Sequence, residues 1–168
     1  MKRFLAMLAL IYGFTAFSAQ AQRGTAVGIG VDFALPQDNF SNDAKLGVGP
    51  SLLFQSPLQK DLNFTVNVGY LRFHGDSPFA NIKYREGFVP IKAGLRYFIS
   101  EKIYGSGEAG LTISTADGSG SGVFFAYAPS IGAQIPTGNG AIDLGLRYEG
   151  WVKSYSRSFF ALRVGYNF

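Results

Sequence analysis

Cysteine is absent from this chain, which rules out a disulfide framework and any thiolate-held metal. Histidine is nearly absent, with His74 alone, so an imidazole metal cluster is excluded as well. Charge is scarce: 15% of residues, against roughly 25% in an average soluble domain. Too few polar side chains are on hand to cover a globular surface comfortably. Long apolar runs are missing after residue 21, because Gly, Arg, Asp or Pro interrupts each within a few residues. No later segment can therefore be a membrane-spanning helix, which needs about 20 apolar residues. A basic run is lacking too, and with it the electrostatic footprint of a nucleic-acid binder.

What the chain does have is glycine, 22 residues of it, and 15% aromatics in a one-domain length of 168. Residues 1–21 have the form of a cleavable export signal. Lys2 and Arg3 are the basic start, Phe4–Phe17 is apolar apart from Gly13 and Thr15, and Ala19-Gln20-Ala21 is a small-x-small cleavage site. The mature domain is then expected over residues 22–168. Without Lys2 and Arg3 it carries 13 basic and 11 acidic residues, so the basic balance of the whole chain says little about partners.

The rest alternates with period two, the signature of strands. Eight are expected, over residues 25–35, 45–55, 62–73, 87–99, 103–114, 123–135, 141–152 and 158–168. Short connections follow the second, fourth and sixth, and longer ones follow most of the others; Thr137-Gly138-Asn139-Gly140 is a hairpin signal. Pro50 lacks a ladder donor, so a local distortion is expected there. The last stretch shows the pattern most clearly. Phe160, Leu162, Val164, Tyr166 and Phe168 share one face, while Ala161, Arg163, Gly165 and Asn167 share the other.

Volume decides which face is inside. An eight-stranded barrel is only wide enough for side chains to fill it. The bulky Val, Ile, Leu, Phe and Tyr face cannot all fit; the face rich in Gly, Ala, Ser and Thr can. The small face therefore points in, and the apolar face needs lipid. By the same parity Asp32, Glu108, Asp143 and Glu149 point inward, as do Lys92, Arg96, Arg147 and Arg163. These eight are the expected lumen charge network, and a charge-balanced interior predicts a plugged, narrow lumen. Outward aromatics gather near the strand ends in two sets: Phe54, Phe64, Tyr97, Tyr166 and Phe168, then Phe33, Tyr70, Phe125, Tyr127, Tyr148 and Phe160. Rings at headgroup depth form such girdles. The expected fold class is all-β: an eight-stranded antiparallel up-and-down transmembrane β-barrel behind a signal peptide. A secreted soluble barrel of lipocalin type would need the opposite facing.

On these residues the chain resembles the small eight-stranded outer-membrane barrels of Gram-negative bacteria, the OmpX and OmpA-transmembrane-domain type. It is similar too to the porin-like outer-membrane barrel proteins of Bacteroidota. The resemblance implies an outer-membrane location and monomeric state. It also implies that Phe160, Leu162, Val164, Tyr166 and Phe168 serve as the recognition signal for the barrel-assembly machinery. Membrane lipid and lipopolysaccharide are the other implied partners, and Arg72, Lys83, Arg85, Lys153 and Arg157, near the external rim, are the candidate lipopolysaccharide contacts. Fold does not choose among the functions such barrels carry.

No catalytic, cofactor or metal residue is assigned. A hydrolase built on His74 would need a nucleophile and an acid within hydrogen-bond reach, and no motif supplies them. Asp117–Gly122 looks like a calcium loop but offers one carboxylate, where calcium takes six to eight oxygens. The sequence reading is thus a non-enzymatic structural barrel. The alternative is an adhesin using a long external loop, 74–85, which carries Phe79, Ile82 and Tyr84. A narrow channel and a lipid A-modifying enzyme rank below both.

Overall fold

A computed structural model gives the structure and describes residues 24–76, 83–115, 122–154 and 156–168. The expected export signal lies outside these residues. So do 77–82, with Phe79 and Ile82, and 116–121, most of the glycine-rich loop. The side chain of Lys83 is likewise outside the described part.

Nine strand segments and one short helix follow in order: β1 (Ala26–Gln37), α1 (Phe40–Asp43), β2 (Leu46–Gln59), β3 (Leu62–Gly69), β4 (Leu71–Asp76), β5 (Lys83–Phe98), β6 (Ile103–Ser114), β7 (Val123–Thr137), β8 (Gly140–Val152) and β9 (Ser156–Asn167). Segments β3 and β4 pair in turn with the same two neighbours, β2 and β5. They are one stave of the wall, and the wall has eight. Each stave pairs antiparallel with the next, and β1 pairs with both β2 and β9. The sheet is therefore closed and has no free edge, the one sheet architecture that satisfies every backbone group in lipid.

The single-residue break between β3 and β4 falls at Tyr70. Its amide donates to the Pro50 carbonyl at 3.0 Å, but proline has no N–H to return the bond. This is the distortion that Pro50 leads one to expect. At the opposite end of the barrel the connections are short. β7 and β8 are joined by Gly138 and Asn139 alone, and β2 and β3 by Lys60 and Asp61. The chain closes there too, where the Phe168 amide donates to Val27 O at 2.9 Å. Three of the four connections opposite are longer, and short turns beside the termini with longer loops opposite are the outer-membrane arrangement, turns periplasmic and loops external.

Facing follows parity along every stave. Outward and exposed are Ile29, Val31, Phe33, Leu52, Phe54, Ile91, Leu95, Tyr97, Leu111, Phe125, Leu146, Phe160, Leu162, Val164 and Phe168, among others. Inward and buried are Asp32, Ser51, Thr65, Asn67, Lys92, Arg96, Asp143, Arg147, Glu149 and Arg163. Water would disfavour such an outer wall by about 25 cal/mol for each Å² of apolar surface left exposed; lipid removes that cost.

One expectation is corrected. Residues 74–85 are not one loop. His74 pairs with Arg85, Gly75 with Tyr84 and Asp76 with Lys83, so the hairpin ladder continues and only 77–82 connect the two strands. The charged residues of this segment suggest a loop, but the alternation of Phe73 in with Arg72 and His74 out runs on past the apolar belt.

Candidate functional site

Among the described residues the lumen concentrates the polar chemistry, and it is built in layers. Nearest the turns, Asp143 on β8 is the hub. Its carboxylate accepts from Arg96 at 3.0 Å, Arg163 at 3.2 Å and Tyr104 at 2.6 Å. Arg96 also lies over the Tyr104 ring, 3.8 Å from its centroid, and Tyr104 packs edge-on against Phe98. Arg96 and Arg163 reach outward from the hub to Gln55 and Ser51.

The second charged layer lies toward the loops. Glu149 accepts from Lys92 at 2.5 Å, Arg147 at 2.7 Å and the Trp151 indole at 2.8 Å. Arg147 spans to Asp32 on β1, at 2.7 Å. Lys92 and Glu149 are wholly buried, so their ions persist by mutual pairing and hydrogen bonds. Glu108 stands apart. It accepts from Thr65 at 3.2 Å and forms no ion pair among the described residues. Between the two layers a cavity of about 20 Å³ is lined by Arg96, Tyr104, Glu108, Arg147 and Arg163, with Ser106 and Ser130. One water needs roughly 10–15 Å³.

Above the charges lies an apolar plug that the sequence reading did not single out. Phe73, Phe88, Phe124, Trp151 and Phe159, from five staves, meet with Phe40 from α1. Trp151 is central, its ring centroid 4.6 Å from that of Phe88, 4.9 Å from Phe159 and 5.9 Å from Phe73. Such ring pairs contribute about 0.5–1.5 kcal/mol each beyond area burial. Gly47 gives the Phe73 ring its room, because a Cβ there would drive into that ring. The five strand aromatics all occupy inward-parity positions, so parity extended to the loop end would have found them. Phe40 has no such signal. It is folded in by α1, which follows Asp38 at a positive φ of 50°; Ser158 and Ser41 bond to Asp38 and fix that corner.

The candidate rim cations divide. Arg72 and Arg85 are exposed on the outer wall of β4 and β5. Lys153 is exposed, its ammonium 5.6 Å from the Phe124 ring. Arg157 differs from expectation and turns inward. It pairs with Glu86 at 3.2 Å and lies over the rings of Phe40, Phe88 and Phe124. Its strand resumes at Ser156, which sets Arg157 across the mouth rather than outside it. His74 is exposed on the outer wall, and its imidazole makes no hydrogen bond among the described residues. In the last strand Phe160, Leu162, Val164 and Phe168 face outward and Arg163 inward.

No protein-family model and no curated protein sequence matches the chain. Solved structures do. Neisserial surface protein A is 18% identical with a TM-score of 0.62, over 86% of this chain and 94% of that one. The fold is that of the small outer-membrane β-barrels. The outer membrane protein Ail of Yersinia pestis, in a phospholipid nanodisc, is 19% identical with a TM-score of 0.58, over 86% of this chain and 99% of that one. OprG of Pseudomonas aeruginosa is 10% identical with a TM-score of 0.56, over 88% and 97%. The likeness is one of architecture across the full wall, from β1 to β9.

Proposed function

We propose that the chain is an integral outer-membrane protein without enzymatic activity, a monomeric structural barrel whose lumen is sealed. The observation that carries this reading is the two-sided wall: apolar and aromatic outside on every stave of a closed sheet, around a polar interior with paired charges. Sealing is supported by the aromatic plug and by a cavity too small for a hydrated ion. The absence of a hydrolytic site is supported by His74, which faces away from the lumen with no serine or carboxylate bonded to it among the described residues. The outward facing of Phe160, Leu162, Val164 and Phe168 on β9 supports the assembly-signal reading.

Heat modifiability tests the reading. Extracted in detergent from an outer-membrane fraction, the protein should migrate at different apparent masses before and after boiling, as a closed barrel resists unfolding by the gel detergent. Recovery in the soluble fraction without detergent would contradict it.

A further inference from the structure

Seven of the eight seams in the wall join staves that follow one another in the chain, where the connection constrains the register. The eighth, between β1 and β9, joins the first stave to the last and has no connection to set it. A slip of one residue would turn the apolar face of β9 inward, so facing excludes it. A slip of two residues keeps every facing and changes only the stagger of the closed sheet. Something other than polarity must reject it.

One row of inward positions crosses this seam. Asp143 on β8 is opposite Gly165 on β9, Gly165 is opposite Gly30 on β1, and Gly30 is opposite Ser51 on β2. The two glycines make a trough between a carboxylate and a hydroxyl, and Arg163 fills it. Its Nη1 donates to Asp143 and its Nε to Ser51, each at 3.2 Å. A Cβ on Gly30 would lie 3.0 Å from the guanidinium carbon, and one on Gly165 2.7 Å from Nη1. Neither position has room for a side chain, and one residue thereby bonds across the whole row. Shifting β1 and β2 by two residues moves them about 7 Å, far beyond hydrogen-bond reach. In one direction Asp32 and Gly49 enter the row, so a side chain fills the trough and no hydroxyl follows. In the other, Gly28 and Leu53 enter, and an apolar side chain replaces the acceptor. Only the observed register offers Arg163 both the glycine and the hydroxyl.

We infer that Arg163 is the register-determining residue of the closing seam, a clasp that selects the stagger at which the barrel shuts. The chain has no cysteine of its own, so engineered pairs report the register directly. Val31 is opposite Val164, and opposed Cα atoms about 4.5–5.5 Å apart suit a disulfide. In the whole barrel, folded in detergent and oxidised, V31C/V164C should cross-link, and the slipped pairs I29C/V164C and F33C/V164C should not. Adding R163M, with the Arg147–Asp32 pair still spanning the seam, should shift the ratio of native to slipped product about 10-fold toward a slipped pair, the lost charge-assisted bonds being ample for that. Should R163M not give a folded, heat-modifiable barrel, S51A, which removes the far acceptor alone, must shift the same ratio in the same direction. Only native product from folded R163M overturns the clasp, even where that variant unfolds more readily, because Arg163 would then add stability without choosing the register. Only native product from S51A overturns it where R163M does not fold, and slipped cross-links in the presence of Arg163 overturn it outright.

Discussion

At the scale of single residues, Glu149 is the most exacting position in the lumen. It is wholly buried and accepts from Lys92, Arg147 and Trp151 at once. Removing its charge leaves Lys92 buried with no counter-ion, and an uncompensated buried charge costs about 3–5 kcal/mol. The variant E149Q should lose about that much stability in urea unfolding from lipid vesicles. Adding K92M should restore most of the loss, because Arg147 keeps Asp32 and a neutral pair replaces the stranded ion. An unchanged midpoint for E149Q would mean that water reaches the ammonium and the layer is not sealed. Which residues point inward was legible from parity, since successive side chains on a strand leave opposite faces. Which cation meets which carboxylate was not. Arg147 and Asp32 are 115 residues apart in sequence, and only the closing of β1 on β9 together with the tilt of the staves brings them together.

Among the elements, the plug matters most, because it joins five staves and α1 across the loop end of the lumen. Trp151 is its centre and also a donor to the charged layer beneath. Truncation of a buried large aromatic typically costs about 3–5 kcal/mol, and W151A should show a loss of that order in the same unfolding assay. A loss below about 1 kcal/mol, the scale of an ordinary surface substitution, would contradict the central placing of this ring. The eight staves themselves were legible from their period-two pattern, as was the break opposite Pro50. The extension of the hairpin through His74 and Arg85 was not, because above the apolar belt the outward positions carry Arg72, His74 and Arg85, and a charged outward face reads as loop. Phe40 was hidden for a related reason. A single ring in a polar loop has no periodicity, and its place is fixed by the corner at Asp38.

On the scale of the whole molecule, the two faces of the wall make one object. Lipid takes the outer aromatic face, and the interior is filled by two charged layers under an aromatic cap. The proposed sealing rests on all of these together, since the charged layers alone leave a cavity of about 20 Å³ and the cap alone would leave bare charges below it. A lumen sealed as proposed conducts nothing of the size of a hydrated ion. Purified protein reconstituted at single-channel density in a planar lipid bilayer measures this directly. A flat baseline over long recordings, with brief events at most, is expected, and steady open-channel currents from the wild-type protein would contradict the sealing.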